Sequence, residues 1–251
     1  MDVEIRALDF GFASSTGDEW VFRDFNLGVK SGAMHSIVGP SGCGKSTLLR
    51  LLGGLEKPAR GEIELIGPEL AAQRFALVFQ DPALLPWWDV GRNVGLGVEF
   101  DKKRAGLYDR IRSFTVDRVG LRELAHRRPG TLSRGQQTRT SIGRAMAYDA
   151  DVMLLDEPFV HLDAITKRHM WREFETHWQL EPRTYILVTH DIEEAVLLSD
   201  YVTVLSGSTP TAVVDTIEVG MGRPRTAETM TDPAFRSAVA RIWDALEGSV
   251  P

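Results

Sequence analysis

Gly39-Pro40-Ser41-Gly42-Cys43-Gly44-Lys45-Ser46-Thr47 is the stretch of this chain best equipped for chemistry. Its spacing, G-x-x-x-x-G-K-S, suits a loop that cradles phosphates. The glycines let backbone N–H groups turn inward and approach a phosphate chain closely. Lys45 adds a point charge for the terminal phosphates, and the Ser46 hydroxyl is a Mg²⁺ ligand by type. The flanks fit: Met34-His35-Ser36-Ile37-Val38 reads as a short buried strand, while Leu48, Leu49, Leu51, Leu52 and Leu55 fall at helical spacings. Such a helix would aim the positive end of its dipole at the phosphates. A glycine-rich turn without a ligand is the plain alternative, and the strand–loop–helix setting weighs against it. The loop predicts that the chain binds a nucleoside triphosphate.

Val152-Met153-Leu154-Leu155-Asp156-Glu157-Pro158 is an apolar strand that delivers two adjacent carboxylates at its end. Phosphoryl transfer needs charge neutralisation and a positioned nucleophile. One acid can hold Mg²⁺ or its waters, and the next can orient a water for attack. Acids also begin helices for capping reasons, so this pattern gains weight from the phosphate loop beside it. Leu132-Ser133-Arg134-Gly135-Gln136-Gln137 precedes a predicted helix running to about Tyr148. Ser133 and Gln136 form an S-x-x-Q capping box, and the same geometry aims backbone amides and a serine hydroxyl outward, as an anion site requires. His190 follows the strand Tyr185-Ile186-Leu187-Val188-Thr189, where a lone histidine is ordinarily structural.

Taken in order, the phosphate loop, Gln80 after a strand, Leu132 to Gln136, Asp156-Glu157, Leu162-Asp163 and His190 resemble the ATP-binding subunits of ABC transporters over nearly the whole chain. The resemblance implies an α/β fold: a P-loop NTPase core of the ABC type, with a RecA-like parallel sheet plus an antiparallel β region and an inserted helical subdomain. It implies ATP and Mg²⁺ as ligands, with Ser46, Gln80 and Asp156 at the metal and Glu157, His190, Lys45 and Gln80 serving hydrolysis. In that family two subunits sandwich two ATP molecules head to tail, so Ser133, Gly135 and Gln136 would face the nucleotide of the partner, with Asp163 nearby. The family signature reads L-S-G-G-Q, and this chain departs from it at Arg134, whose side chain either crowds the interface or adds a phosphate or carboxylate contact. His161, where the family often has a small residue, is a second departure.

Further expectations follow from the resemblance. An aromatic should stack on adenine; Phe12 is the best candidate by position, with Phe10 and Trp20 as alternatives. Asp81-Pro82-Ala83-Leu84-Leu85-Pro86-Trp87-Trp88 is dense in rigid and apolar groups. Either it is buried in the chain's own core or it docks a cytoplasmic helix of a membrane permease, since exposed apolar patches mark partners. Its L-L-P-W pattern is similar to the importer branch for nitrate, sulfonates and taurine. Two permease subunits, a second ATPase subunit and a solute-binding protein are the implied partners, placing the chain at the cytoplasmic face of the membrane. An exporter ATPase, a soluble ABC-type ATPase of DNA repair or translation, and a nucleotide-binding regulator are the rival readings.

Elements that position these residues are legible around them. Val3 to Phe12 and Val21 to Val29 alternate apolar residues about a turn at Ala13 to Asp18, and Gly61 to Ile66 and Phe75 to Phe79 read as further strands. Helical character runs from Val90 to Tyr148, and strands return at 152–155, 185–188 and 201–205 with helices between them. Strands alternating with helices imply a parallel, helix-covered sheet with the ligand beyond its carboxyl ends. The expected organisation is a single 1–251 domain: core at 1–88 and 149–225, helical subdomain at 89–148, and an amphipathic C-terminal helix at 226–251 that packs on the body or contacts another subunit.

Composition sets the bounds. The 251 residues can bury a full core, and a net charge of −6 with short basic clusters (Lys102-Lys103-Arg104, His126-Arg127-Arg128) argues against non-specific nucleic-acid binding. No run of about 18 apolar residues suggests a membrane span, and the acidic start Met1-Asp2-Val3-Glu4 does not read as a signal peptide. The single cysteine excludes an internal disulfide and fits a reducing compartment. Cys43 lies in the phosphate loop, where attraction for anions predicts a reactive thiol. His35, His126, His161, His169 and His177 show no metal-ligand spacing.

Overall fold

The computed structural model describes residues 1–14, 17–67, 74–101, 103–180 and 182–249, so part of the 13–18 turn and Lys102 lie outside the described residues. Its strands and helices, in chain order, begin with β1 (Asp2–Ser14), β2 (Gly17–Val29), β3 (Met34–Val38), α1 (Lys45–Leu52), β4 (Arg60–Ile66) and β5 (Phe75–Val78). The middle of the chain supplies α2 (Val90–Glu99), α3 (Tyr108–Arg118), α4 (Arg134–Tyr148), β6 (Val152–Asp156) and α5 (Ala164–Leu180). The rest forms β7 (Thr184–Val188), α6 (Ile192–Leu198), β8 (Tyr201–Leu205), β9 (Val213–Glu218) and α7 (Pro233–Glu247). Two compact units result, one of Met1–Ala72 with Glu181–Pro251 and one of Gln73–Leu180.

In the first unit, β1 pairs antiparallel with both β2 and β4. Alternation, interrupted by register shifts between Ile5 and Phe10, puts Val3, Ile5, Leu8 and Phe10 of β1 and Phe22, Phe25, Leu27 and Val29 of β2 into the interior, as a half-buried sheet requires. The other strands of this unit lie in the order β7-β3-β8-β9. β3 is parallel to β7 and β8, and only β9 runs antiparallel. Every residue of β3 and β7 is buried, as in a parallel sheet covered on both faces; β3 buries the polar His35 and Ser36 along with its apolar residues.

The C-terminal helix α7 packs on α6, β8 and β9. Asp232 caps it by accepting from the Ala234 N–H, and Pro233 occupies its first turn. It buries Phe235, Ala238 and Ile242 while Trp243 stays exposed. Packing on the body is therefore what the apolar stripe does.

The second unit holds the parallel pair β5–β6 and the helices α2, α3, α4 and α5. Val90, Val94 and Val98 form the buried stripe of α2, which packs on α3 and α4. The unit is wider than the 89–148 span of helical periodicity, because β5 and β6 hydrogen-bond to each other and α4 packs on β5.

Candidate nucleotide site

In the first unit the backbone turns sharply from β3 into α1. Gly42 and Gly44 have φ of 83° and 93°, in the left-handed region that glycine adopts without penalty. Gly44 is the N-cap of α1, and no side chain caps the helix, so the amides of its first turn are not tied to a cap side chain. A Cβ on Gly44 would lie 2.6 Å from Val21 Cγ1 and 3.0 Å from Phe22 Cζ, so conformation and space both demand glycine there. Lys45 is buried along its stem and arches back over the loop, its Nζ donating to the Gly39 and Pro40 carbonyls at 2.8 Å each. Ser46 and Thr47 are half-buried in the first turn of α1, while Ser41 is exposed.

The thiol of Cys43 differs from expectation. It is 2% exposed, packed against Gly39 with Lys45 Nζ 3.9 Å away. Burial pushes its pKa up, with Lys45 opposing. The side chain is packed in the interior, so the residue is a small buried group and not a reactive thiolate.

Parallel pairing sets the neighbours of the loop. Ile37 is level with Val188 and Thr189 N–H donates to Ile37 O, so the strand register carries His190 to the level of Gly39 at the same sheet edge. His190 is exposed, and Asp191 after it caps α6 by accepting from the Glu194 N–H. Phe12, on β1, is 50% exposed and makes an edge-on contact with the buried Phe10. Trp20 is half-buried and carries the Arg23 guanidinium over its ring at 5.2 Å. Of the three aromatics considered for the base, Phe12 offers an open face.

The second unit places the other residues by the same logic. Val78 is level with Leu155 across the β5–β6 pair, so the register brings Gln80 to the level of Glu157 just past the strand ends. Asp156 closes β6 and is buried. Glu157 has φ of 44°, a conformation that costs a non-glycine residue roughly 1–2 kcal/mol and that concentrates at functional sites. Asp163 caps the first turn of α5: its carboxylate accepts from Thr166 Oγ1 at 2.6 Å and from the Thr166 and Ile165 N–H groups. These bonds, the Thr166 hydroxyl foremost, hold its pKa below the usual carboxylate value.

Ser133 and Gln136 form the capping box read from the sequence, with Gln136 N–H donating to Ser133 Oγ and Ser133 N–H to Gln136 Oε1. Gly135 is needed for a close approach, since a Cβ there would sit 3.0 Å from the His161 carbonyl. Arg134 makes the carboxylate contact, an ion pair with Asp81 at 2.7 Å on the residue after Gln80. Both partners are well exposed, so the pair contributes at most about 1 kcal/mol.

Pro82 is buried whereas Trp87 is 64% exposed and Arg92 stacks over Trp88 at 4.2 Å. Asn93, which the sequence reading passed over, organises this segment. Fully buried, it accepts from the Leu85 N–H and donates to the carbonyls of Leu85, Trp88 and Asp89. A polar residue on the apolar stripe of α2 was the one signal available.

The chain is similar to known proteins over most of its length. The sequence pattern of the ABC transporter family matches residues 22–160. The chain is 38% identical over 92% of its length, and 83% of the relative's, to the aliphatic sulfonates import ATP-binding protein SsuB 2 of Burkholderia cenocepacia. It is 35% identical over 94% of its length, and 88% of the relative's, to the nitrate import ATP-binding protein NrtD of Synechococcus elongatus. A solved dimeric ATP-binding cassette in a post-hydrolysis state with ADP and Pi superposes with a TM-score of 0.79 at 26% identity, covering 88% of this chain and all of that one. The chain belongs to the ABC transporter family. It has that family's α/β P-loop NTPase fold and is an ATPase.

Proposed function

We propose that this chain is the ATP-hydrolysing subunit of an importer for a small anionic solute, the class for which its sulfonate and nitrate relatives are named. The observation that carries the proposal is the uncapped, glycine-turned loop 39–44, with Lys45 folded over it and His190 at the same sheet edge. Lys45 and the loop amides bind the β- and γ-phosphates, and Phe12 stacks on the base. Glu157 polarises the attacking water, and His190 fixes the γ-phosphate. By type, Ser46, Gln80 and Asp156 offer the hard oxygen ligands that Mg²⁺ prefers, and the ion when bound would offset the charge of the phosphates.

Two copies work head to tail, with Ser133, Gly135 and Gln136 of one facing the ATP of the other. Arg134, between Ser133 and Gly135, pairs with Asp81 of its own chain at the edge of that surface. The exposed Trp87, on the loop that Asn93 holds, docks a permease subunit. No helix of the described residues is long and apolar enough to cross a membrane, so attachment to the cytoplasmic face of the membrane runs through permease subunits. A solute-binding protein completes an importer.

The test is mass spectrometry of proteins that co-purify with the tagged chain from detergent-solubilised native membranes. A multi-span protein in near-equal amount, with a solute-binding protein, is the expected result. Recovery of soluble partners alone would overturn the transporter assignment.

A further inference from the structure

The back of the phosphate loop is held by a segment far away in sequence. Residues 205–211, from the end of β8 through the turn toward β9, meet loop 39–43 at three points, all within the first unit. Leu205 borders Gly39, whose added Cβ would lie 3.1 Å from Leu205 Cβ. Gly207 borders Pro40, with Pro40 Cγ 3.3 Å from the corresponding position. Thr211, 1% exposed, donates its hydroxyl to the Cys43 carbonyl at 2.7 Å across 168 residues of sequence.

A phosphate loop that turns its N–H groups toward a ligand turns carbonyls away from it, and a carbonyl sent into the interior needs a donor. The Cys43 N–H is spent on Pro40 O at 3.4 Å, and the Cys43 carbonyl needs a donor from elsewhere. Thr211 Oγ1 supplies it at 2.7 Å. Its other arm is fixed as well: Thr211 N–H donates to Val21 O of β2 at 2.8 Å. Val21 and Phe22 are also the residues that wall in Gly44. One buried residue thus ties the strand behind Gly44 to the carbonyl just before it.

We propose that Thr211 is a positioning residue for ATP, holding the Cys43–Gly44 peptide so that its amide faces the phosphates. The inference rests on the assignment of residues 39–47 as the ATP phosphate loop. Thr211 touches neither the attacked phosphorus nor the water, so it acts on binding and not on the chemical step.

The experiment measures KM and kcat for Mg-ATP hydrolysis and the Kd of a fluorescent ATP analogue for four proteins: wild type, Thr211→Val, Thr211→Ser and Lys45→Ala. Thr211→Val keeps the shape and removes the donor, leaving the Cys43 carbonyl without its partner. The expected result is a KM and Kd about tenfold higher (about 1.4 kcal/mol) with kcat within about twofold of wild type, and recovery in Thr211→Ser. A purely structural role would lower the active fraction, reducing kcat at unchanged KM, and that pattern overturns the proposal. So does Thr211→Ser losing as much affinity as Thr211→Val, since the hydroxyl is then not the cause. Lys45→Ala separates the two levels: if it loses ATP while Thr211→Val binds like wild type, the phosphate-loop assignment stands and the positioning role falls. If Lys45→Ala binds ATP like wild type, the assignment falls and the proposal with it.

Discussion

Gly44→Ala is a sharp probe of how β2 and the phosphate loop are built together. Alanine at φ of 93° enters the left-handed region at about 1–2 kcal/mol. Its Cβ would also lie 2.6 Å from Val21 Cγ1 and 3.0 Å from Phe22 Cζ, and overpacking of this kind costs about 1–3 kcal/mol. Restriction of the unfolded chain returns about 0.4–1 kcal/mol, so the net loss is about 1–4.6 kcal/mol. The two costs separate in a double-mutant cycle. Val21→Ala removes the nearer clashing atom without touching the backbone angle, so Gly44→Ala should cost about 1–2 kcal/mol less in that background. Urea unfolding of the wild type, both single variants and the double variant supplies the four free energies. Equal costs in both backgrounds, or a loss below about 1 kcal/mol in the wild type, would refute the reading of Gly44 as fixed by both conformation and space.

Acid stability tests the buried histidine of β3. His35 is 2% exposed, donates or accepts at Thr203 Oγ1 (2.7 Å), and burial lowers its pKa to about 4 against the opposing charge of Asp200. Above pH 6.5 it is neutral in both folded and unfolded chains and contributes nothing to pH dependence. Between pH 6.5 and about 4 the unfolded chain takes up a proton that the folded chain refuses, so stability falls by up to about 3 kcal/mol as pH drops. His35→Leu should flatten the stability curve across that window, and an unchanged slope between pH 6.5 and 4.5 would contradict it. Cys43, buried with a raised pKa, should resist iodoacetamide at pH 7.5 until urea unfolds the chain, with ATP making little difference. Rapid labelling of the folded protein, read by intact mass, would count against its placement.

Legibility in the sequence followed the range of the interactions. The strand, glycine loop and helix at 34–52 and the acids closing β6 are local patterns in which period, punctuation and residue type agree, and the fold class followed from them. The capping box at Ser133 is equally local. What stayed hidden is non-local side-chain chemistry: Thr211 on Cys43 O, Asn93 spanning the Leu85–Asp89 loop, and Arg134 on Asp81. No periodicity encodes which carbonyl a hydroxyl will meet across 168 residues. Cys43 misled because its sequence neighbours build an anion-attracting loop, whereas its side chain is buried. Arg134 left two readings open, and its ion pair with Asp81 in the same chain was not legible in the sequence.

The central claim is that this chain hydrolyses ATP with Glu157 at the attacking water. Its most direct test is phosphate release by the purified wild type and by Glu157→Gln, with ATP-analogue affinity measured on the same samples. The account expects Glu157→Gln to bind the nucleotide within about twofold of wild type and to lose at least about 100-fold in turnover, on the scale of general-base contributions. Turnover unchanged by Glu157→Gln, with binding intact, would contradict it.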